Sequence, residues 1–230
     1  MRIVDRYSCL LLDMNGTFMF RQDRFGTDAD FYATYRSLGG NTLSPREVEQ
    51  AIRRCYDGLC ELYEEPARYD DFPGLREGLQ RFSNTPPAEL SLLEAVFAHH
   101  ECGVVPEEYA KCIHELAQTH RLGLVANIWA PKPCWLKELE RAGISDCFRT
   151  LVFSSDSRSM KPSPKLFDEA LNHLSVNKEE ALFIGDSLRC DIEGASGVGL
   201  ATVWITNSDE AHPSADFRVT TLLELPRLGA

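Results

Sequence analysis

The sequence predicts an α/β protein, a doubly wound parallel sheet with an inserted α-helical segment. Three observations carry that expectation. Short apolar runs recur at 9–12, 122–125, 148–153, 181–184 and 201–205, each bounded by turn or polar residues, as strands buried on both faces are. From the second run onward, helical patterns separate the strands, which implies parallel pairing with helices on both faces. Between the first and second runs the pattern is helical throughout, and no strand-like run interrupts it.

The elements follow in order. The run Cys9–Leu12 stops at Asp13, and Gly16 comes two residues after Met14, so a buried strand delivers a carboxylate onto a tight loop. Residues 18–26 mix aromatic and charged side chains without a period, as a flap leaving the sheet would. Helices are predicted over 28–38, 44–64, 72–82, 87–100 and 106–120, the last returning to the sheet. Ser44-Pro45-Arg46-Glu47 is a helix start, with a Ser cap, Pro at the first position and Glu three after the cap. The run 122–125 ends at Ala126-Asn127. A helix over 132–142 is closed by Gly143, and the strand 148–153 runs into Ser154-Ser155-Asp156. Met160-Lys161-Pro162-Ser163-Pro164 opens a helix that reaches Leu174, with Ser163 as its cap. The run 181–184 ends at Gly185-Asp186. A helix with Asp191 in its first turn then reaches Val198, and 201–205 and 217–220 complete the strands.

At 230 residues and 43% hydrophobic, the chain can bury a sizeable core. The expected division is a core of 1–20 and 104–230 with a helical domain of 21–103 between its two parts. A net charge of -11 and a pI near 5.0 argue against nucleic acid or an anionic membrane surface as partners. An anionic substrate would then need a local positive site. The apolar run before Asp13 is far too short for a signal-peptide core or a membrane span, and a cytoplasmic location is expected. The eight cysteines form no Cys-x-x-Cys pair and have no His at zinc-finger spacing, so they read as reduced and mostly buried.

Three apolar runs stop at a polar group: Asp13, Asn127 and Asp186. On neighbouring parallel strands these would meet in one crevice at the carboxyl edge of the sheet. Carboxylates a few ångströms apart repel unless something neutralises them, and a hard divalent cation with oxygen ligands does so. Magnesium is the expected cofactor. A carboxylate can also attack phosphorus in line, giving an acyl phosphate that water then cleaves. Lys161 can supply a cation for a phosphoryl oxygen, helped by the helix start just after it.

Asp13-Met14-Asn15-Gly16-Thr17 after a strand, Lys161-Pro162, and Gly185-Asp186-Ser187 with Asp191 resemble the motifs of the haloacid dehalogenase superfamily. Its members mostly hydrolyse phosphate esters through an aspartyl-phosphate. The resemblance covers the core at both ends of the chain and implies a Rossmann-like core, with 21–103 as a cap between the first and second motifs. It implies Asp13 as nucleophile and metal ligand, the main-chain carbonyl of Asn15 as second metal contact, and Asp186 on magnesium. Asp191 would support the metal's water shell, and Lys161 matches the motif lysine. Gly16, Thr17, Ala126, Asn127 and Lys161 fall where the substrate's phosphoryl group would bind.

Two positions depart from the family. Ala126 stands where a Ser or Thr hydroxyl is normal, and Asn15 replaces the acid that protonates the leaving group and then activates water. An amide hydrogen-bonds but cannot cycle a proton, which costs about a hundred- to ten-thousand-fold. The expected function is a magnesium-dependent phosphatase of a small phosphorylated metabolite, with weakened general acid catalysis. The alternatives are a non-catalytic ligand- or partner-binding relative and a 2-haloacid dehalogenase, and the retained Asp186 and Asp191 count against the second.

Taken singly, Asp13 is a turn residue, Asp191 a helix-start acid and Lys161 a solvated lysine; their order and strand-end placement join them. Trp129, Tyr32, Tyr35, Phe25 and Phe31 read as core before they read as pocket lining. His99-His100, Arg53-Arg54, Lys132 and Glu64-Glu65 read as solvated.

Overall fold

Strand β1 (Cys9–Leu12) is buried along its whole length and lies at the centre of the sheet. A computed structural model of the chain describes residues 3–21 and 25–227. β1 is followed by β2 (Arg121–Ala126), β3 (Phe148–Phe153), β4 (Ala181–Gly185), β5 (Ala201–Ile205) and β6 (Phe217–Val219), in the spatial order β3-β2-β1-β4-β5-β6. Every neighbouring pair is parallel. This is the doubly wound arrangement predicted, with its switch point where β1 meets β4. Leu12 pairs in register with both Leu124 and Ile184, so the first, second and fourth strands end within two residues of one another. That register brings the residues after them to one edge.

Between β1 and β2 the described residues form α1 (Phe31–Ser37), α2 (Pro45–Tyr63), α3 (Leu75–Phe82), α4 (Leu90–Glu101) and α5 (Glu107–Ala117), and no strand among them. Ser44 and Glu47 make the reciprocal capping box their spacing predicts. The helix expected from 87 begins three residues later, because Pro87–Glu89 forms a 3₁₀ turn first. Phe20 pairs in an isolated antiparallel bridge with Val104, so the chain leaves and re-enters beside itself. Residues 22–24 of the expected flap lie outside the described residues.

The remaining helices are α6 (Pro133–Arg141), the single turn α7 (Ser154–Ser157), α8 (Pro164–Leu174) and α9 (Gly194–Gly197). Strand alternation sorts the core onto two faces. Leu10, Leu12, Leu124 and Ile184 pack with Ile113 and Leu116 of α5 and Trp135 and Leu139 of α6. Cys9, Leu11, Val125 and Phe183 pack with Leu166, Phe167 and Ala170 of α8 and Ala195 of α9. The helix expected through Asp191 is a π-helical turn, Leu188–Glu193, running into α9.

Two surface expectations are corrected. His100 is buried, 7% exposed, with Nε2 2.9 Å from the Thr34 hydroxyl, because α4 is covered by α1 on that side. Arg53 is half-buried: its guanidinium donates to the carbonyls of Phe25 and Gly26 at 2.7 and 2.8 Å. No helix among the described residues is long and apolar enough to cross a membrane. All eight cysteines are free; Cys9, Cys55, Cys102, Cys112 and Cys190 are buried and the other three half-buried.

Candidate active site

The neighbouring strand ends put Asp13, Asn127 and Asp186 on the same carboxyl edge, and the turn after Asp186 adds Asp191. A carboxylate oxygen of each of Asp13, Asp186 and Asp191 lies within 4.8 Å of the others. Lys161 joins them from the loop before α8, and its ammonium is 2.6 Å from Asp13 Oδ1 and 2.7 Å from Asp191 Oδ1. The lysine is only 1% exposed. A buried ammonium of this kind is tolerated because it is paired on two sides.

Two glycines make the cluster possible. Gly16 has φ +85°, and a Cβ there would stand 2.2 Å from Asp186 Oδ2. At Gly185 a Cβ would stand 2.5 Å from the Asp191 carboxyl carbon. Both acids therefore rest directly against backbone. Asp191 is fully engaged, with Oδ1 on Lys161 and Oδ2 accepting from Ser187 N at 2.9 Å. Thr17 donates its hydroxyl to Asp13 Oδ2 at 3.3 Å.

The charges do not cancel. Three carboxylates share one ammonium, and burial pushes Asp13 up to about 7: Lys161 pulls it down, while Asp191 and Asp186 push it up. Asp186 is raised to about 6, first by desolvation and then by the charge of Asp191. Burial alone would pull Lys161 down, but Asp13 and Asp191 outweigh it and hold the lysine protonated. An all-oxygen donor set with excess negative charge fits a hard divalent cation, and Asp13 and Asp186 face the same space.

The other candidate residues divide. Asn15 is half-buried, and its amide lies 3.5 Å from the Asn127 carbonyl. Ala126 is wholly buried as the last residue of β2. The Asn127 side chain is committed within the protein: Oδ1 accepts from Lys161 N at 2.8 Å, and Nδ2 donates to Lys161 O at 3.0 Å and to the Tyr63 hydroxyl at 3.1 Å. It splints the loop that carries the lysine.

Above Asn15 opens a cavity of about 280 Å³ between the sheet edge and α2 and α4. Asn15 and Asn127 line it from the sheet side, Phe25, Tyr56 and Tyr63 from the inserted segment, and Arg21, Glu101 and Trp129 complete it. Of the aromatic residues weighed from sequence, Phe25 and Trp129 reach this cavity, while Phe31 and Tyr35 are buried core. Glu101, Tyr56 and Tyr63 carried no motif signal. The buried Glu101 carboxylate accepts from Trp129 N and Ala130 N, both at 2.8 Å, pairings between distant segments that local sequence does not encode. Burial raises Glu101 to about 7 against the pull of those two amides.

Residues 84–205, just over half of the chain, match the sequence model of the haloacid dehalogenase-like hydrolases. The chain belongs to that family. A glyceraldehyde 3-phosphate phosphatase of Pyrococcus abyssi is 41% identical over 85 residues, 37% of this chain and 35% of the relative. A phosphatase of the family from Thermococcus onnurineus, with a solved structure, superposes with TM-score 0.64 at 25% identity, over 96% of each chain. A 2-haloacid dehalogenase of Pseudomonas syringae superposes with TM-score 0.65 at 21% identity, over 96% of each chain, a likeness of fold alone. The chain spans between about a third and three fifths of the length of the curated relatives it matches.

Proposed function

We propose that the protein is a magnesium-dependent phosphatase of small phosphorylated molecules, working through an aspartyl-phosphate on Asp13 with little general acid assistance. The observation that carries the reading is the Lys161 ammonium bridging Asp13 and Asp191 at the sheet's switch point, with Asp186 alongside. The curated relatives are named as phosphatases of small metabolites, which supports the substrate class.

Asp13 would attack phosphorus in line, forming the acyl phosphate bond as the ester oxygen departs with its electron pair. Lys161 would neutralise a phosphoryl oxygen beside Asp13, and Thr17 would orient the attacking carboxylate. Asp13, the Asn15 carbonyl and Asp186 would hold magnesium, with Asp191 behind them, and the ion when bound offsets the charge of the phosphoryl oxygens. Asn15 can donate a hydrogen bond to the departing oxygen but not a proton, so the leaving group departs as an anion and is protonated by solvent. Water then opens the acyl phosphate, releasing inorganic phosphate and restoring Asp13. In this reading the helices between residues 21 and 103 are the cap over the site, and the protein works in a reducing cytoplasm.

The experiment is a turnover screen over acyl, aryl and alkyl phosphates with and without magnesium. Hydrolysis of acyl and aryl phosphates that needs the ion, with alkyl phosphates nearly inert, is the expected result. Turnover of none would favour a non-catalytic binding protein, and release of halide from 2-haloacids without metal would favour a dehalogenase.

A further inference from the structure

The cavity over Asn15 says what kind of leaving group the site accepts. Its long walls are aromatic. Phe25 and Tyr56 stack with ring centroids 4.4 Å apart and planes 14° from parallel. Trp129 packs against the same cluster, with the Tyr56 centroid 5.8 Å away and the Tyr63 ring edge-on at 5.9 Å, so these rings form one continuous aromatic surface. The indole is also backed by Phe72, stacked at 6.2 Å, and by Phe97 at 6.3 Å. A side chain gripped on so many sides is a fixed surface, and ordering it again on binding costs little entropy. An apolar cavity near 150 Å³ accepts benzene, so about 280 Å³ has room for one six-membered ring with a linking atom and a substituent.

The charges in the cavity choose between a ring and a cation. An aromatic box can hold an ammonium group, but among the described residues the one acid that lines this box, Glu101, has both carboxylate oxygens on main-chain amides. Arg21 lines the same space and is held there by donating to the Glu101 carbonyl at 3.3 Å, so it repels a cationic ligand. It favours a ring whose substituent accepts hydrogen bonds. We infer that the physiological substrate is a monocyclic aryl phosphate, its ring laid against the surface that Trp129 and Tyr56 form and an acceptor substituent turned to Arg21. The inference rests on the phosphatase reading, and it accords with Asn15: an aryl oxygen leaves as a stabilised anion and needs no proton from the protein.

Non-hydrolysable phosphonates test it by calorimetry on the magnesium-loaded full chain. Benzylphosphonate should bind about tenfold more tightly than methylphosphonate, and more tightly than cyclohexylmethylphosphonate, which has similar bulk but no π-face. In Trp129→Leu the benzyl-to-methyl ratio should fall towards one. A second variant, Arg21→Met, should weaken 4-carboxybenzylphosphonate more than benzylphosphonate, which guards against a misfolded Trp129→Leu. Equal affinity for benzyl and methyl, or for benzyl and cyclohexylmethyl, overturns the inference, as does a preference for 2-aminoethylphosphonate. Acetyl phosphate turnover separates the two levels. If it proceeds while no ring is preferred, the ring inference fails and the phosphatase reading stands; if acetyl phosphate is inert and no phosphonate binds, both fail.

Discussion

At the scale of the residue, Asn15 and the glycine beside it decide how the leaving group departs and where Asp186 sits. Asn15→Asp should restore a proton donor and raise alkyl phosphate turnover by at least about tenfold while changing aryl phosphate turnover less, measured as kcat/KM for each ester. Asn15 precedes Gly16, and Asn-Gly steps deamidate in flexible loops, so mass spectrometry of the assayed protein belongs with the rates. Gly16→Ala places a methyl group where Asp186 Oδ2 stands and forces an alanine to a positive φ. Magnesium affinity by calorimetry should drop at least about tenfold, as it does if Asp186 leaves the crevice. Much of this site was legible: Asp13, Lys161 and Asp186 are announced by strand ends and a helix start. Asn127 was placed correctly at its strand end, but its work inside the protein, gripping the main chain of Lys161, is a contact across 34 residues that no local pattern announces.

At the scale of the element, periodicity and caps located nearly every helix and strand. The α2 start shows why. Its Ser44–Glu47 capping box satisfies helix-end donors locally, so Ser44→Ala should cost about 1 kcal/mol, read as a lower midpoint in urea with an unchanged slope. The misses have long-range causes. His100 is covered by α1, a partner 66 residues away at Thr34, and adjacent positions on α4 alone favour solvation over a shared metal. The π-helical turn at Leu188–Glu193 lets Asp191 meet both Lys161 and Ser187, and a hydrophobic period does not distinguish it from an α-helical turn. α2 also reaches the carboxyl edge of the sheet through Tyr63, whose hydroxyl lies 3.2 Å from Cys190 Sγ and accepts from Asn127. Arg189, stacked at 5.4 Å over the Tyr63 ring, pairs with Glu64 at 2.7 Å on the exposed rim, where such a pair adds little stability.

At the scale of the whole molecule, the sheet order gathers acids from both ends of the chain, and the burial of acids there and in the adjoining cavity makes stability depend on pH. Glu101 shows the sign. Its carboxyl is raised from an ordinary value of 4.5 to about 7 by burial, so the folded protein holds a proton that the unfolded chain releases. The stability this gives is present at low pH and is lost as pH rises from about 4.5 through about 7. Melting followed across that window should fall more steeply for the parent than for Glu101→Gln, which has no proton to lose; parallel curves would show that Glu101 does not titrate there. At the sheet edge the proposed chemistry makes a covalent demand: Asp13 becomes phosphorylated during turnover. Without an acid at position 15 to activate water in the second step, the acyl phosphate should persist long enough to be caught. The direct measurement is rapid quenching during turnover of an aryl phosphate with magnesium, followed by mass spectrometry of the peptide bearing Asp13. One phosphoryl group on Asp13, absent from Asp13→Asn, is the expected result; steady turnover with the phosphoryl group on another residue, or undiminished turnover by Asp13→Asn, would contradict an Asp13 nucleophile.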